Sequence, residues 1–344
     1  MKRSILKTLA LTLVAAVLFA GCSTEETEEK SRKKKKETTE ETTEDTTESS
    51  EEEETMTMSS SEETEEPETS ASSEADPIED SLTLYEAYIS GNAEVKFRAD
   101  SSFTQYLFLT SALTDGGAYT AQGIVDAITE VDDDDTWPMV SDGQWEYRYI
   151  DCGEDGVPEL CADITFQAEG SSEYFDLTLI IKEIDGELVT CYAADSWSRC
   201  WVMVFDNGTI SVSGSGGFAL HITDYSFIDA DGEYHFFYGC EVNDYPEYLY
   251  VDLGGGKYKD LDFSNLDIDG FQVNCFYFEQ EYTARQRYYS YCFFDGTGYT
   301  YDPSDYEDDN PYKQVFSNEG LSVYTPDEME KILNERAKEI NYPG

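Results

Sequence analysis

Residues 146–166 read EYRYIDCGEDGVPELCADITF. Two strand-like runs flank a short acidic loop, 151–158, that holds Gly156 and Pro158, residues suited to a tight reversal and unsuited to a helix interior. The stretch therefore reads as a hairpin. Outward from it the same grammar repeats: alternating runs at 174–184, 201–212, 234–242, 271–279 and 288–294, broken by Asp185-Gly186, Asn207-Gly208, Asp231-Gly232, glycines 254–256 and Asp295-Gly296. Alternation interrupted by Asn-Gly and Asp-Gly pairs is the strongest short-range hairpin signal, so the expected fold is mainly β, α+β at its margins, built of antiparallel hairpin-rich sheets.

Helices are expected at the ends. Residues 82–90 (LTLYEAYIS), stopped by Gly91, and 121–130 form two short N-terminal candidates. Near the C-terminus Thr325-Pro326-Asp327-Glu328 supplies an N-cap, a proline at the first helical position and a capping-box glutamate ahead of MEKILNERAKEI, which predicts one C-terminal helix. No fixed-period repeat is present, which argues against a propeller or solenoid.

The first residues carry Lys2, Arg3 and Lys7, then an apolar run too short to span a bilayer, then Leu18-Phe19-Ala20-Gly21-Cys22. This pattern predicts an export signal over 1–21. Its end resembles the lipobox of bacterial lipoproteins, with Phe19 where leucine is usual. The resemblance implies lipidation of Cys22 by a fatty acyl chain such as palmitate, and residence on the outer face of the cell membrane. Residues 22–76 are Glu, Thr and Ser with few apolar side chains, a composition that cannot offset its conformational entropy by burial. They are expected to form a tether spanning roughly 40 Å as a coil, with a ceiling on the order of 180 Å. Lys30, Arg32 and Lys33 to Lys36 stand near the anchor and suit either anionic headgroups or plain solvation. The folded body is expected over 77–344.

The chain holds 22 basic and 74 acidic residues, a formal net charge of −52, which excludes nucleic acid as a partner and suits divalent cations or cationic partners. Seven cysteines follow Cys22. Cys275 and Cys292 straddle a turn near 282–285 at equal offsets, and Cys152 with Cys161 and Cys191 with Cys200 flank turns in the same way. Two readings stay open: three local disulfides with Cys240 left over, or small buried apolar thiols.

The loop at 151–159 is the foremost chemical candidate. Asp151, Asp155 and Glu159 occupy positions one, five and nine, Gly156 position six, and the Val157 carbonyl position seven, the layout of a compact calcium loop that lacks a carboxylate at its third position, Gly153. Asn265, Asp267, Asp269 and Gly270 match the first half of a second such loop, but Phe276 stands where its bidentate glutamate belongs. The segment from Tyr147 to Leu160 resembles the Y-x-x-x-D-x-D-G-D-G-x-P-E-L signature of exported Gram-positive lipoproteins and is similar to the short calcium loops of FG-GAP-type proteins. That resemblance implies surface location and a calcium loop, and implies no established activity.

Catalytic patterns are thin. His221 and His235 are the only histidines, so a three-histidine zinc site is impossible, and no G-x-S-x-G elbow occurs. Trp137, Trp145, Trp197 and Trp201, with the tyrosine-rich segments 232–238 and 296–301, suit either glycan platforms or cross-strand packing. The expected role is a membrane-anchored, non-enzymatic binding or surface-interaction module, calcium-stabilised, with a cell-wall or extracellular glycan as partner. The alternative is a polysaccharide-directed hydrolase or glycan-binding protein, since two carboxylates suffice for glycoside hydrolysis.

Overall fold

The computed structural model describes residues 77–99, 108–131, 140–253, 257–281 and 285–343. The expected signal, Cys22, the tether and Trp137 lie outside them. Helix α1 (Pro77–Ile89), strands β1 (Val95–Lys96) and β2 (Ala118–Tyr119) and helix α2 (Ala121–Thr129) precede a run of hairpins. These are β3 (Val140–Ile150), β4 (Glu159–Ala168), β5 (Tyr174–Ile184), β6 (Glu187–Ser196), β7 (Cys200–Val204), β8 (Thr209–Ser215), β9 (Leu220–Ile228) and β10 (Tyr234–Asp244). Then come β11 (Tyr248–Asp252), β12 (Tyr258–Asp262), β13 (Phe271–Tyr277), β14 (Tyr288–Phe294), β15 (Tyr299–Thr300), α3 (Pro311–Asn318) and α4 (Pro326–Glu339).

The fold is mainly β, with antiparallel hairpin sheets and few helices. The first sheet runs β2-β1-β6-β5-β4-β3, the second β15-β14-β13-β10-β9-β8-β7, and β11 pairs with β12 alone. Among the named strands of the described residues, β1 departs from the antiparallel rule by running parallel to β6. The β5–β6 hairpin shows why the sequence signal works. Asp185 and Gly186 both take positive φ, 55° and 84°, giving a two-residue turn whose twist matches that of the strands it joins.

Strand alternation gives the first sheet two apolar faces. Leu160, Ala162, Ile164 and Phe166 of β4, with Leu177, Leu179 and Ile181 of β5, pack with Tyr85 and Tyr88 of α1 and Ile124, Val125 and Ile128 of α2. On the opposite face Cys161, Ile180, Cys191 and Tyr192 join Ile210 and Ile228 of the second sheet. A third core joins β13 and β14 to β11, β12 and α3 through Phe263, Phe271, Tyr291 and Phe316.

The helix ends follow their local chemistry. Thr120 caps α2 by accepting from Gly123 N, and Thr325 with Glu328 forms the expected capping box on α4. Helix α3 is an addition to the one C-terminal helix expected from sequence. Asn310 caps it through Tyr312 N and Pro311 sits in its first turn. The preceding acidic stretch also has defined geometry, because Asp302 and Asp305 form a capping box on a 3₁₀ turn, Pro303–Tyr306.

One cross-strand row of the second sheet is polar. Asp224 accepts from the Tyr277 hydroxyl at 2.5 Å, and between them Gly239 leaves space where a Cβ would come within 2.2 Å of both side chains. The Arg285 guanidinium lies 3.8 Å from the Tyr277 ring centre. Burial pushes the Asp224 carboxyl up to about 6, so the folded state favours its protonated form. A raised carboxyl contributes stability that is complete below the unfolded value and lost as pH rises through the folded one. Lowering the pH from 7.5 to 5 should therefore raise the unfolding free energy of the parent by about 1.4 kcal/mol more than that of Asp224→Asn. Urea titrations of both proteins at the two pH values give this difference, and equal pH responses would refute the assignment.

Candidate functional site

The acidic loop that joins β3 to β4 is a joint between the two sheets. Asp151 N donates to Asp206 O, in the β7–β8 turn of the second sheet, at 2.8 Å. Cys152 is fully buried under Gly208, where an added Cβ would sit 2.8 Å from the Cys152 sulfur. Gly153 has φ 78°, and a Cβ there would approach Ala230 N to 2.4 Å. The third loop position is thus glycine because the β9–β10 turn passes directly over it; an aspartate ligand has no room.

The expected ligands divide their bonds elsewhere. Both Asp151 carboxylate oxygens accept from Gly156 N, at 3.1 and 3.2 Å, and Asp155 Oδ1 accepts from Val157 N at 2.8 Å. Glu159 is 0 % exposed; one oxygen accepts from Cys152 N at 2.7 Å and the other from the Lys182 ammonium on β5. Among the described residues no group of three or more His, Cys, Asp or Glu is arranged to hold a metal ion. Glu159 thus has both oxygens engaged by protein donors, with an internal lysine balancing its charge, while the Asp151 and Asp155 carboxylates accept from backbone within the loop. Sequence reading missed Lys182, which lies 23 residues from Glu159 with no local pattern to connect them.

The second loop is a turn ahead of β13. Asp267 Oδ1 accepts from Asp269 N at 3.1 Å, while the Asp267 carbonyl accepts from the Tyr312 hydroxyl of α3 at 2.5 Å. Asn265, Asp267 and Asp269 are exposed.

The seven cysteines of the body are buried free thiols, the second of the two open readings, and the strand registers explain why the three local pairs do not form. Cys275 lies opposite Tyr289 and Cys292 opposite Gln272, an odd offset that sends the two side chains to opposite faces of the sheet. Cys200 faces Trp197 and not Cys191, and Cys161 faces Arg148 and not Cys152. Burial pushes Cys161, Cys191, Cys275 and Cys292 up to about 12, so they stay protonated and unreactive at neutral pH.

Among the described residues no convergent nucleophile and base emerge around the histidines. His235 Nε2 lies 2.6 Å from Asp229 Oδ2, and that carboxylate also accepts from Asp231 N and Glu233 N in the β9–β10 turn. His221 stands 3.9 Å from Asp244, whose other oxygen accepts from Gln272 and Tyr299.

The aromatic residues singled out in the sequence mostly pack inward. Trp145 stacks on Tyr147, Trp197 meets Phe108 edge-on, and Tyr234 stacks on Tyr192. Trp201 is half exposed on β7, opposite Ser213 with no carboxylate across from it. A cluster of outward aromatics stands on the β11–β12 hairpin. Leu249, Val251 and Leu261 face the third core, so Tyr248, Tyr250 and Tyr258 face outward, 57, 62 and 46 % exposed. Tyr248 pairs with Asp262 and Tyr250 with Asp260, both acids exposed. The Tyr250 and Tyr258 rings lie parallel, 7° apart, with centres at 5.2 Å.

An isolated two-stranded hairpin is marginal in water; this one is held by its buried face and by Lys259, which bridges to Glu319 beyond α3 at 3.1 Å. Tyr248 also lines an open depression of about 350 Å³, together with Leu220, Asn243 and Asp244. The signal was present in YLYVD and YKDLD, where Tyr and Asp share one alternation. Comparison of the chain with protein-family models, curated proteins and solved structures found no match in any of the three.

Proposed function

We propose that this chain is a lipid-anchored, extracytoplasmic, non-enzymatic binding module that presents the outer face of the β11–β12 hairpin to a ligand at the cell surface. The observation that carries it is the ordered ladder of exposed tyrosines on a hairpin pinned from behind by a buried core. Its rings turn outward although the hairpin already has a full apolar face toward the third core. Support for the location comes from the signal-like start, Cys22 and the acidic tether.

The test uses the full chain expressed in a Gram-positive host. Palmitate label should enter the parent and not Cys22→Ala, which should appear in the medium. Purified Cys22→Ala chain should be retained by isolated cell-wall material, and the further changes Tyr248→Ala, Tyr250→Ala and Tyr258→Ala should abolish that retention. Equal retention of the chains with and without the three tyrosines would rule out this face.

A further inference from the structure

We infer that the ligand is an extended peptide segment bearing lysine or arginine at alternate positions, laid along the β11–β12 hairpin. The inference rests on the reading of this face as the ligand surface and adds the ligand's chemistry. Three observations lead to it.

The first is the composition of the rows. Each tyrosine on β11 has an aspartate directly across on β12, Asp262 beside Tyr248 and Asp260 beside Tyr250. A ring face and a carboxylate side by side offer a cation both quadrupole attraction and charge pairing, whereas a neutral sugar uses the ring and gains little from full negative charge.

The second is spacing. Successive outward residues on a strand recur at about 7 Å, and so do alternate side chains of any extended peptide. A ligand strand running with β11 would therefore set one cation over each Tyr–Asp row, without adjusting its backbone.

The third is the field. With 74 acidic against 22 basic residues the chain attracts cationic partners at long range, and an anionic partner would be repelled. That field alone gives attraction without register; the hairpin supplies the register.

Two labelled peptides of identical composition separate these contributions: one alternating lysine and threonine, the other with all its lysines first. Binding to the full chain carrying Cys22→Ala is followed by fluorescence anisotropy at about 150 mM salt, where the Debye length is about 8 Å and distant charges are screened. The alternating peptide is expected to bind about tenfold more tightly than its block isomer, since two rows of cation–π and ion-pair contact amount to about one decade. Tyr250→Ala with Tyr258→Ala, and separately Asp260→Asn with Asp262→Asn, should bring the alternating peptide down to the block isomer's affinity. Tyr174→Ala, exposed elsewhere on β5, should change neither.

Equal affinities for the two peptides, or affinities insensitive to the hairpin variants, would overturn the inference. If wall material is still lost with the three tyrosines while the peptides fail to discriminate, the ligand class is refuted and the binding face survives. Tyrosine-dependent binding of an uncharged N-acetylglucosamine oligomer, with no preference between the peptides, would refute the cationic ligand in favour of a glycan.

Discussion

Lys182→Met is expected to cost about 3–5 kcal/mol of stability, because it removes the ion-pair partner of the fully buried Glu159 carboxylate. Burial pushes Glu159 above the usual carboxylate range. Burial alone would bring Lys182 down, but its bond to Glu159 outweighs that and holds it above the ordinary lysine value. A lysine raised in the folded state contributes stability that is complete below its unfolded value and lost only as pH climbs through the folded one. The contribution is therefore intact at neutral pH and disappears in strong alkali.

The companion variant decides whether the charge is the cause. Glu159→Gln added to Lys182→Met keeps a carbonyl oxygen for Cys152 N and removes the stranded charge, so the double variant should regain about half or more of the loss. Urea titration of the parent, the two single variants and the double gives the coupling. A single-variant cost below about 1 kcal/mol, or strict additivity, would show that Glu159 does not depend on the ammonium.

Asp195→Ala is expected to cost about 3 kcal/mol. The Asp195 carboxylate, on β6, accepts from three successive backbone N–H groups, Phe108 at 2.5 Å, Leu109 at 2.6 Å and Thr110 at 3.3 Å. Leu109 is fully buried, so truncation leaves buried donors without an acceptor and frees the segment that leads into the 3₁₀ turn Thr110–Ala112. Phe108 packs edge-on against Trp197 at 5.8 Å, which gives a local readout. Loss of protection at the Leu109 amide in hydrogen exchange, with a changed Trp197 environment, should accompany the drop in the urea midpoint. Unchanged protection at Leu109 would mean the three donors find other acceptors.

The strands were legible because alternation and Asn-Gly or Asp-Gly turns are local properties, and the runs 174–184 and 288–294 coincide with β5 and β14. The C-terminal helix was legible for the same reason: Thr325, Pro326 and Glu328 lie within one turn of each other. Helix α3 carried its own signal in Asn310-Pro311, but it is short and largely polar, so no apolar stripe announced it.

The loop at 151–159 depends on more than its spacing. Its acids have calcium-like spacing, yet spacing along a chain says nothing about a lysine on another strand or a turn crossing overhead. Lys182 and Ala230 reach the loop only once β4 pairs with β5 and the sheets stack. Of the two cysteine readings, the local pairs fail on register: offsets counted from an assumed turn centre place Cys275 and Cys292 opposite each other, while the strand pairing differs by an odd number of residues and puts them on opposite faces. In β11 both alternating sets, Tyr248 and Tyr250 or Leu249 and Val251, are apolar enough to bury. Phe263 and Phe316 in the third core settle which set turns inward.

The amino-acid order alone thus determined the secondary structure, the hairpin grammar, the helix caps and the acidity of the surface, because each depends on neighbours within a few positions. Which carboxylate would be neutralised, by what, and which tyrosines would meet solvent were decided by tertiary structure. Those outcomes depend on charges and surfaces brought together across strands distant in the chain, and burial sets their energies.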